Sequence, residues 1–272
     1  MSDRVLVNVA DGIAEVRFNR PDKRNALDTA QFEAIAEAGE SLKSVDGVRA
    51  VVLVGEGASF CAGLDFSVFG SMAGGERSAD AGGSRGAGAI SDVEGRITHL
   101  GQQVCWVWQE LPMPVIAAVH GHALGGGLQI ALGADIRFST PDAKWSVREV
   151  HWGIVPDMTG TFLLSRLVRN DIARELTYTA TMFSGDQAHE YGLVTHLSDD
   201  PYADAMALAT EIAGRNPGAV RGSKELFNNL FTQDAAEQFA LEREVIGRHI
   251  GSPNQVEAIM ANMEKRTPNF TD

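Results

Sequence analysis

Cysteine is scarce: Cys61 and Cys105 are the two in 272 residues, far apart and without CxxC spacing. That excludes a disulfide framework and a thiolate zinc site, and it suits a reducing compartment. Basic charge is scarce too. Against 36 acidic residues there are 23 basic ones, a net charge of -13, and no Lys/Arg cluster offers the footprint for neutralising nucleic-acid phosphates. No apolar run approaches the ~20 residues of a membrane span, and the opening MSDRVLVNVADG lacks the apolar stretch of a secretory signal. A soluble, cytoplasmic protein with neither nucleic acid nor membrane as partner is expected. There is no GxxxxGK[ST] phosphate loop and no HExxH, and GASFC at 57–61 breaks GxSxG at its last position. Common nucleotide hydrolases, zinc proteases and α/β-hydrolases lose their support.

What is present reads as a globular α/β chain, 44% hydrophobic and 22% charged. Val5, Val7 and Val9 alternate before Asp11-Gly12, and Val16 and Phe18 after it, which predicts a β-hairpin. Asp28 with Gln31 predicts a capped amphipathic helix through Leu42 and Val45. AVVLV at 50–54 and VIAAV at 115–119 are short β-branched runs of the kind buried on both faces of a sheet. Between them Ile97, Leu100, Val104, Val107 and Leu111 mark a helix in which Trp106 and Trp108 are packing residues. Residues 70–91 hold seven glycines and almost no large apolar side chain, predicting a mobile surface loop. A helix at 128–132, a strand at 135–138 and a helix near 162–168 follow. From about Pro201 the pattern is helical only, over 203–213, 219–230, 235–250 and 255–265, with breaks near Pro217 and Pro253. The expected division is a core of 1–200 and a helical region of 201–272.

Two glycine-bearing turns follow the buried runs directly: Ser59 to Asp65 (SFCAGLD) and Gly125-Gly126-Gly127. Such turns let a substrate approach the main chain, and free N–H groups there can polarise a carbonyl as an oxyanion hole. Each turn taken alone is more readily a simple strand end, since strand ends need left-handed positions whatever the function. His120 and His122 form an HxH pair with His151 further on, but no motif fixes a third metal ligand, and turn or surface histidines without metal are expected.

The turns gain meaning in order. NRPDKRNALD (19–28), SFCAGLD (59–65), PVIAAVHGHALGGG (114–127) and ADIRF (134–138) together resemble the crotonase superfamily, the enoyl-CoA hydratase/isomerase family, from about residue 5 to residue 250. The resemblance implies an α/β spiral of ββα units, the ClpP/crotonase-like fold, with a C-terminal helical region that assembles a homotrimer or a dimer of trimers. It implies an acyl-CoA thioester as substrate, fatty acid oxidation as the setting, and no metal or redox cofactor. Carried over position by position, it makes the N–H groups of Leu64 and Gly126 the oxyanion donors. It places Arg24, Ala26, Ala62, Asp65, Phe66 and Gly125 around the CoA thioester, and it puts the 70–91 loop where the family covers the acyl pocket, as a lid.

The acid/base positions depart from the hydratase pattern. A hydratase has a glutamate two residues after the triple glycine, where this chain has Gln129; the second is present as Glu149. A neutral amide can orient water but cannot deprotonate it. Pro156-Asp157 replaces the family's Pro-Gly, and Glu149 with Asp157 resembles the acid/base pair of the dienoyl-CoA isomerase branch, although that branch also carries an aspartate at the position of Gln129. The leading expectation is isomerisation of an unsaturated acyl-CoA, 3,5-dienoyl to 2,4-dienoyl by Asp157 and Glu149, or 3-enoyl to 2-enoyl by Glu149 alone. A 2-enoyl-CoA hydratase in which Gln129 holds water, and a non-catalytic acyl-CoA-binding protein, are the alternatives.

Overall fold

A computed structural model describes residues 3–68, 95–215, 217–229, 235–266 and 268; the glycine-rich stretch expected as a loop and lid at 70–91 lies outside the described residues. The opening strands β1 (Val5–Ala10) and β2 (Ile13–Phe18) pair antiparallel around Asp11 and Gly12. Those two residues have φ of +52° and +78°, the left-handed pair a two-residue hairpin turn requires. Asp28 caps α1 (Thr29–Leu42), its carboxylate accepting the Gln31 N–H at 2.9 Å.

The two apolar runs form β3 (Ala50–Gly55) and β4 (Val115–Val119), buried throughout, with α2 (Leu100–Glu110) between them. After β4 come β5 (His122–Leu124), α3 (Gly126–Gly133), β6 (Ile136–Ser139) and β7 (Lys144–Ser146). Then follow α4 (Gly160–Leu167), α5 (Asn170–Thr179), β8 (Phe183–Ser184), α6 (Gly185–Glu190) and β9 (His196–Leu197). The chain ends in α7 (Pro201–Ala213), α8 (Pro217–Asn229), α9 (Ala235–His249) and α10 (Pro253–Glu264). One sheet has the order β1-β2-β3-β4-β6-β9, parallel from β2 onward; a second has the order β5-β7-β8. In the middle of the chain β4 and β6 enter the large sheet and are each followed by a short strand, β5 and β7, of the second, the repeated winding that the resemblance implies.

Alternation along β3 and β4 divides the core. Val51, Leu53, Val115, Ala117 and Val119 join Ile35 and Leu42 of α1 and Val104 and Trp108 of α2. Ala50, Val52, Val54, Ile116 and Ala118 face the other way, onto Ala205, Ala209 and Ala213 of α7. Both faces are covered, which is why these runs carry no polar residue. The first helix of the 201–272 region thus packs on the large sheet, its alanines permitting close approach. The helices break near Pro217 and Pro253 as expected, and each proline opens the next helix, α8 and α10, since a first-turn proline gives up an N–H that has no helical partner anyway. Trp106 packs edge-on to Phe162 and Phe239, as a core residue should. The short strands β5, β7, β8 and β9 and the six-residue α6 carry too few residues to be read from sequence, whereas α5, with Ala173 and Leu176 buried at helical spacing, is missed despite a readable pattern.

Lys224 ties α8 to the sheet. Its buried ammonium donates to Trp108 O at 2.8 Å, Met113 O at 3.1 Å and Asp135 Oδ2 at 2.8 Å. Lys224→Met leaves those acceptors without their donor, so a loss of about 3 kcal/mol in unfolding free energy by urea titration is expected; an unchanged midpoint would contradict it.

Candidate active site

The site follows from register. Cys61 bridges Ala123 in parallel, and Ala123 in turn pairs with Trp145 in parallel. Counting three residues onward from each brings Leu64, Gly126 and Arg148 to the same level, with Glu149 one step beyond. Three successive turns of the spiral therefore deliver their residues to the carboxyl ends of neighbouring short parallel strands, the usual place for ligands in parallel α/β sheets. The hydrogen bonds that lock this stack are Leu124 N to Cys61 O at 3.1 Å and Gly125 N to Ser146 O at 2.9 Å.

A cavity of about 490 Å³ opens there. Its wall includes every residue the resemblance placed around the thioester: Arg24, Ala26, Ala62, Asp65, Phe66 and Gly125, together with Leu64, Gly126 and Glu149. Gly63 N–H is directed at the Cys61 sulfur, and Asp65 N–H donates to Leu27 O at 2.9 Å. Among the described residues, the intervening Leu64 N–H has no acceptor, and neither has that of Gly126 at the start of α3. Among the described residues the backbone thus leaves two N–H groups on one cavity wall without an acceptor, the requirement for holding an oxyanion. The loops carrying them touch: Gly63 has φ +88°, and a methyl added there would lie 2.6 Å from Leu124 O.

Asp65 lines the cavity with its carboxylate committed elsewhere. Arg20 Nη1 lies 2.7 Å from Asp65 Oδ2, and Ser67 donates to Oδ1 through both N–H and hydroxyl. Burial pushes this carboxyl up, but the Ser67 and Arg20 donors outweigh it and hold Asp65 below the usual range. Its part is to anchor the turn that presents Leu64. Phe66, two-thirds exposed, meets Trp152 edge-on at 5.7 Å.

Glu149 is 6% exposed. Burial pushes its carboxyl up to about 7, opposed by hydrogen bonds from Gln129 and the local backbone. Its Oε1 accepts from Gln129 Nε2 at 2.6 Å, whereas Oε2 has no hydrogen-bond partner among the described residues. A methyl added to Gly125 would lie 3.2 Å from Oε1, so the carboxylate sits against the turn that carries Gly126. Gln129 Oε1 accepts from Met158 N at 3.0 Å and Gly160 N at 2.8 Å. Both acceptor sites of the amide oxygen are thereby occupied, and Gln129 faces Glu149 only as a donor. Asp157 is half-buried just ahead of α4 and is not among the residues of the cavity wall.

Sequence reading missed Trp152 and Ile154 on the wall, Arg20 behind Asp65, and the backbone N–H groups on either side of Thr159. The NRP within NRPDKRN was the available signal for Arg20; nothing in the residue types marks Thr159. The histidines are separate. His120 Nε2 lies 2.9 Å from Gly57 O and His122 Nδ1 2.8 Å from Ser59 Oγ, and among the described residues no three His, Cys, Asp or Glu side chains gather as for a metal ion.

Similarity to known proteins follows the same map. A short-chain-enoyl-CoA hydratase of Clostridium acetobutylicum is 33% identical over 97% of this chain and 96% of its own length. A mitochondrial Delta(3,5)-Delta(2,4)-dienoyl-CoA isomerase of Mus musculus is 31% identical over 93% of this chain and 77% of its own. A crystal structure of an enoyl-CoA hydratase/isomerase from Pseudoalteromonas atlantica superposes with a TM-score of 0.85 at 25% identity, covering 98% of this chain and all of that one. The family model for enoyl-CoA hydratase/isomerase matches residues 8–272, the span that carries the cavity, the paired N–H groups and Glu149, and the chain is accordingly an enzyme of the enoyl-CoA hydratase/isomerase family, in the crotonase superfamily.

Proposed function

We propose that the protein isomerises a double bond in an unsaturated fatty acyl-CoA, with the Leu64 and Gly126 N–H groups holding the thioester oxygen and Glu149 moving the proton. The carboxylate removes a proton from C2 of a 3-enoyl thioester. The electron pair delocalises as a dienolate onto the thioester oxygen, where the two N–H donors stabilise it, and the same proton-bearing carboxyl returns a proton at C4. Protons and electrons balance without any cofactor. The observation that carries this reading is Gln129: with its oxygen occupied by two N–H donors, it offers neither a base nor an acceptor to a water molecule. Hydration of a 2-enoyl thioester needs such a group beside Glu149. Glu149 lies on the cavity wall, which supports the single-carboxylate shift; Asp157 is not among the described residues of that wall.

Ultraviolet absorbance tests this, because isomerisation gains conjugation with the thioester and hydration loses it. Growth of the conjugated signal with a 3-enoyl-CoA, retained in Asp157→Asn, is expected. Growth only with a 3,5-dienoyl-CoA and its loss in Asp157→Asn would instead establish the two-base route. Loss of a 2-enoyl signal alone would make the enzyme a hydratase, and binding without turnover of any of the three would make it an acyl-CoA-binding protein. For assembly, we propose a homotrimer or a dimer of trimers in the cytoplasm; among the described residues no helix is long and apolar enough to cross a membrane.

A further inference from the structure

We infer that Gln129 is a positioning residue: its amide, clamped by backbone N–H groups on either side of Thr159, holds Glu149 by one oxygen so that the other alone carries the proton. The inference rests on the acid/base reading of Glu149 and deepens it. The clamp has three parts. Met158 N and Gly160 N both donate to Gln129 Oε1, at 3.0 and 2.8 Å. Thr159 between them stands at φ +67°, a backbone region that a β-branched residue rarely adopts, and there it turns the flanking N–H groups to one acceptor. Gly160 has no side chain where a methyl would lie 2.4 Å from Oε1.

With the oxygen so held, the amide orientation is determined, and Nε2 has to face Glu149 Oε1, which it does at 2.6 Å. An amide alone suits both ends, accepting two N–H groups on one side and donating to a carboxylate on the other. A glutamate would satisfy the clamp and set a second negative charge against Glu149; a leucine or methionine would leave the clamp's N–H groups without their acceptor and take from Oε1 its side-chain donor. Charged and titratable groups lie around Glu149 on several segments, including Asp171, Arg174 and Glu175 of α5, which packs on the turn after it. Arg148 precedes it and donates to Ala180 O at 3.0 Å; His151 follows on the next turn and Asp157 lies ahead of α4. Asp22, Lys23, Arg24 and Asp65 share the cavity wall. On α10, Glu257 and Glu264 pair with Arg266, and α3, which carries Gln129, has no charged residue.

Infrared titration of the whole protein tests the inference without depending on turnover. The protonated carboxyl band of Glu149, assigned by its disappearance in Glu149→Gln, is followed against pH in wild type, Gln129→Met and Gln129→Glu. In Gln129→Met the band is expected to persist about one to two pH units higher, because a hydrogen bond to the charged form is gone. Gln129→Glu keeps the clamp's acceptor and serves if the methionine variant does not fold; its band is expected to move at least as far, through like-charge repulsion. On whichever acyl-CoA wild type turns over, Gln129→Met should lower kcat about ten- to hundredfold with KM nearly unchanged. A lower melting temperature with an unmoved band in both variants would show a merely structural residue and overturn the inference. An absent turnover in wild type with a shifted band would instead leave the positioning role standing and refute the isomerase reading.

Discussion

Glu149→Gln is expected to lower kcat by about a thousandfold, in the range general acid/base groups supply, while acyl-CoA binding by calorimetry changes little. Glutamine keeps the shape and a partner for Gln129 but can neither take a proton from C2 nor return one. The same change should make the protein more stable at alkaline pH. In the folded state burial pushes the Glu149 carboxyl from the ordinary 4.5 up to about 7, so folding favours the protonated form. That contribution is fully present below the unfolded value near 4.5 and is lost as pH rises through about 7, where the folded protein has to ionise a buried group that the unfolded chain already carries charged. The difference amounts to roughly 3 kcal/mol. Wild type should therefore lose more stability between pH 5 and pH 8 than Glu149→Gln, and at pH 8 the variant's melting temperature should be higher by about 5 °C. Retained turnover, or parallel stability profiles for the two proteins, would refute the assignment.

The second large effect is expected at a residue without a side chain. Gly63→Ala places a methyl 2.6 Å from Leu124 O on a backbone at φ +88°, so the strand ends have to separate or Gly63 has to leave its left-handed conformation. Either response displaces Leu64, the next residue, and the former also shifts the turn that leads from Leu124 to Gly126. Because an oxyanion donor acts only at hydrogen-bond distance, losing the alignment of one costs about a hundred- to thousandfold in kcat. Steady-state kinetics with circular dichroism as a check on folding reads this directly. A folded variant with wild-type kcat would show that the paired N–H groups are not the machinery.

How much of this could be read beforehand depended on how local the cause was. The hairpin at Asp11-Gly12, the Asp28 cap and the doubly buried β3 and β4 come from residue types acting on their immediate neighbours, and each stands where the periodicity put it. The helix breaks near Pro217 and Pro253 stand where the sequence puts them, each proline opening the helix that follows. The short strands β5 and β7 were invisible, three residues being too few to show an alternation. Yet those strands make the site, since their parallel register sets Leu64, Gly126 and Glu149 side by side across almost ninety residues of chain.

The residue types at the site were legible in the sequence: two glycine turns after buried strands, Glu149 read together with Asp157, and an amide where the hydratase pattern has a glutamate. Their relations were not. That the Asp65 carboxylate pairs with Arg20 and that Gln129 spends its oxygen on the N–H groups flanking Thr159 depend on contacts between distant segments. Hydrogen bonds and burial are set by where the packed core leaves each atom, so the sequence supplied the chemical groups, while the tertiary structure alone decided which oxygen of Glu149 is held by Gln129.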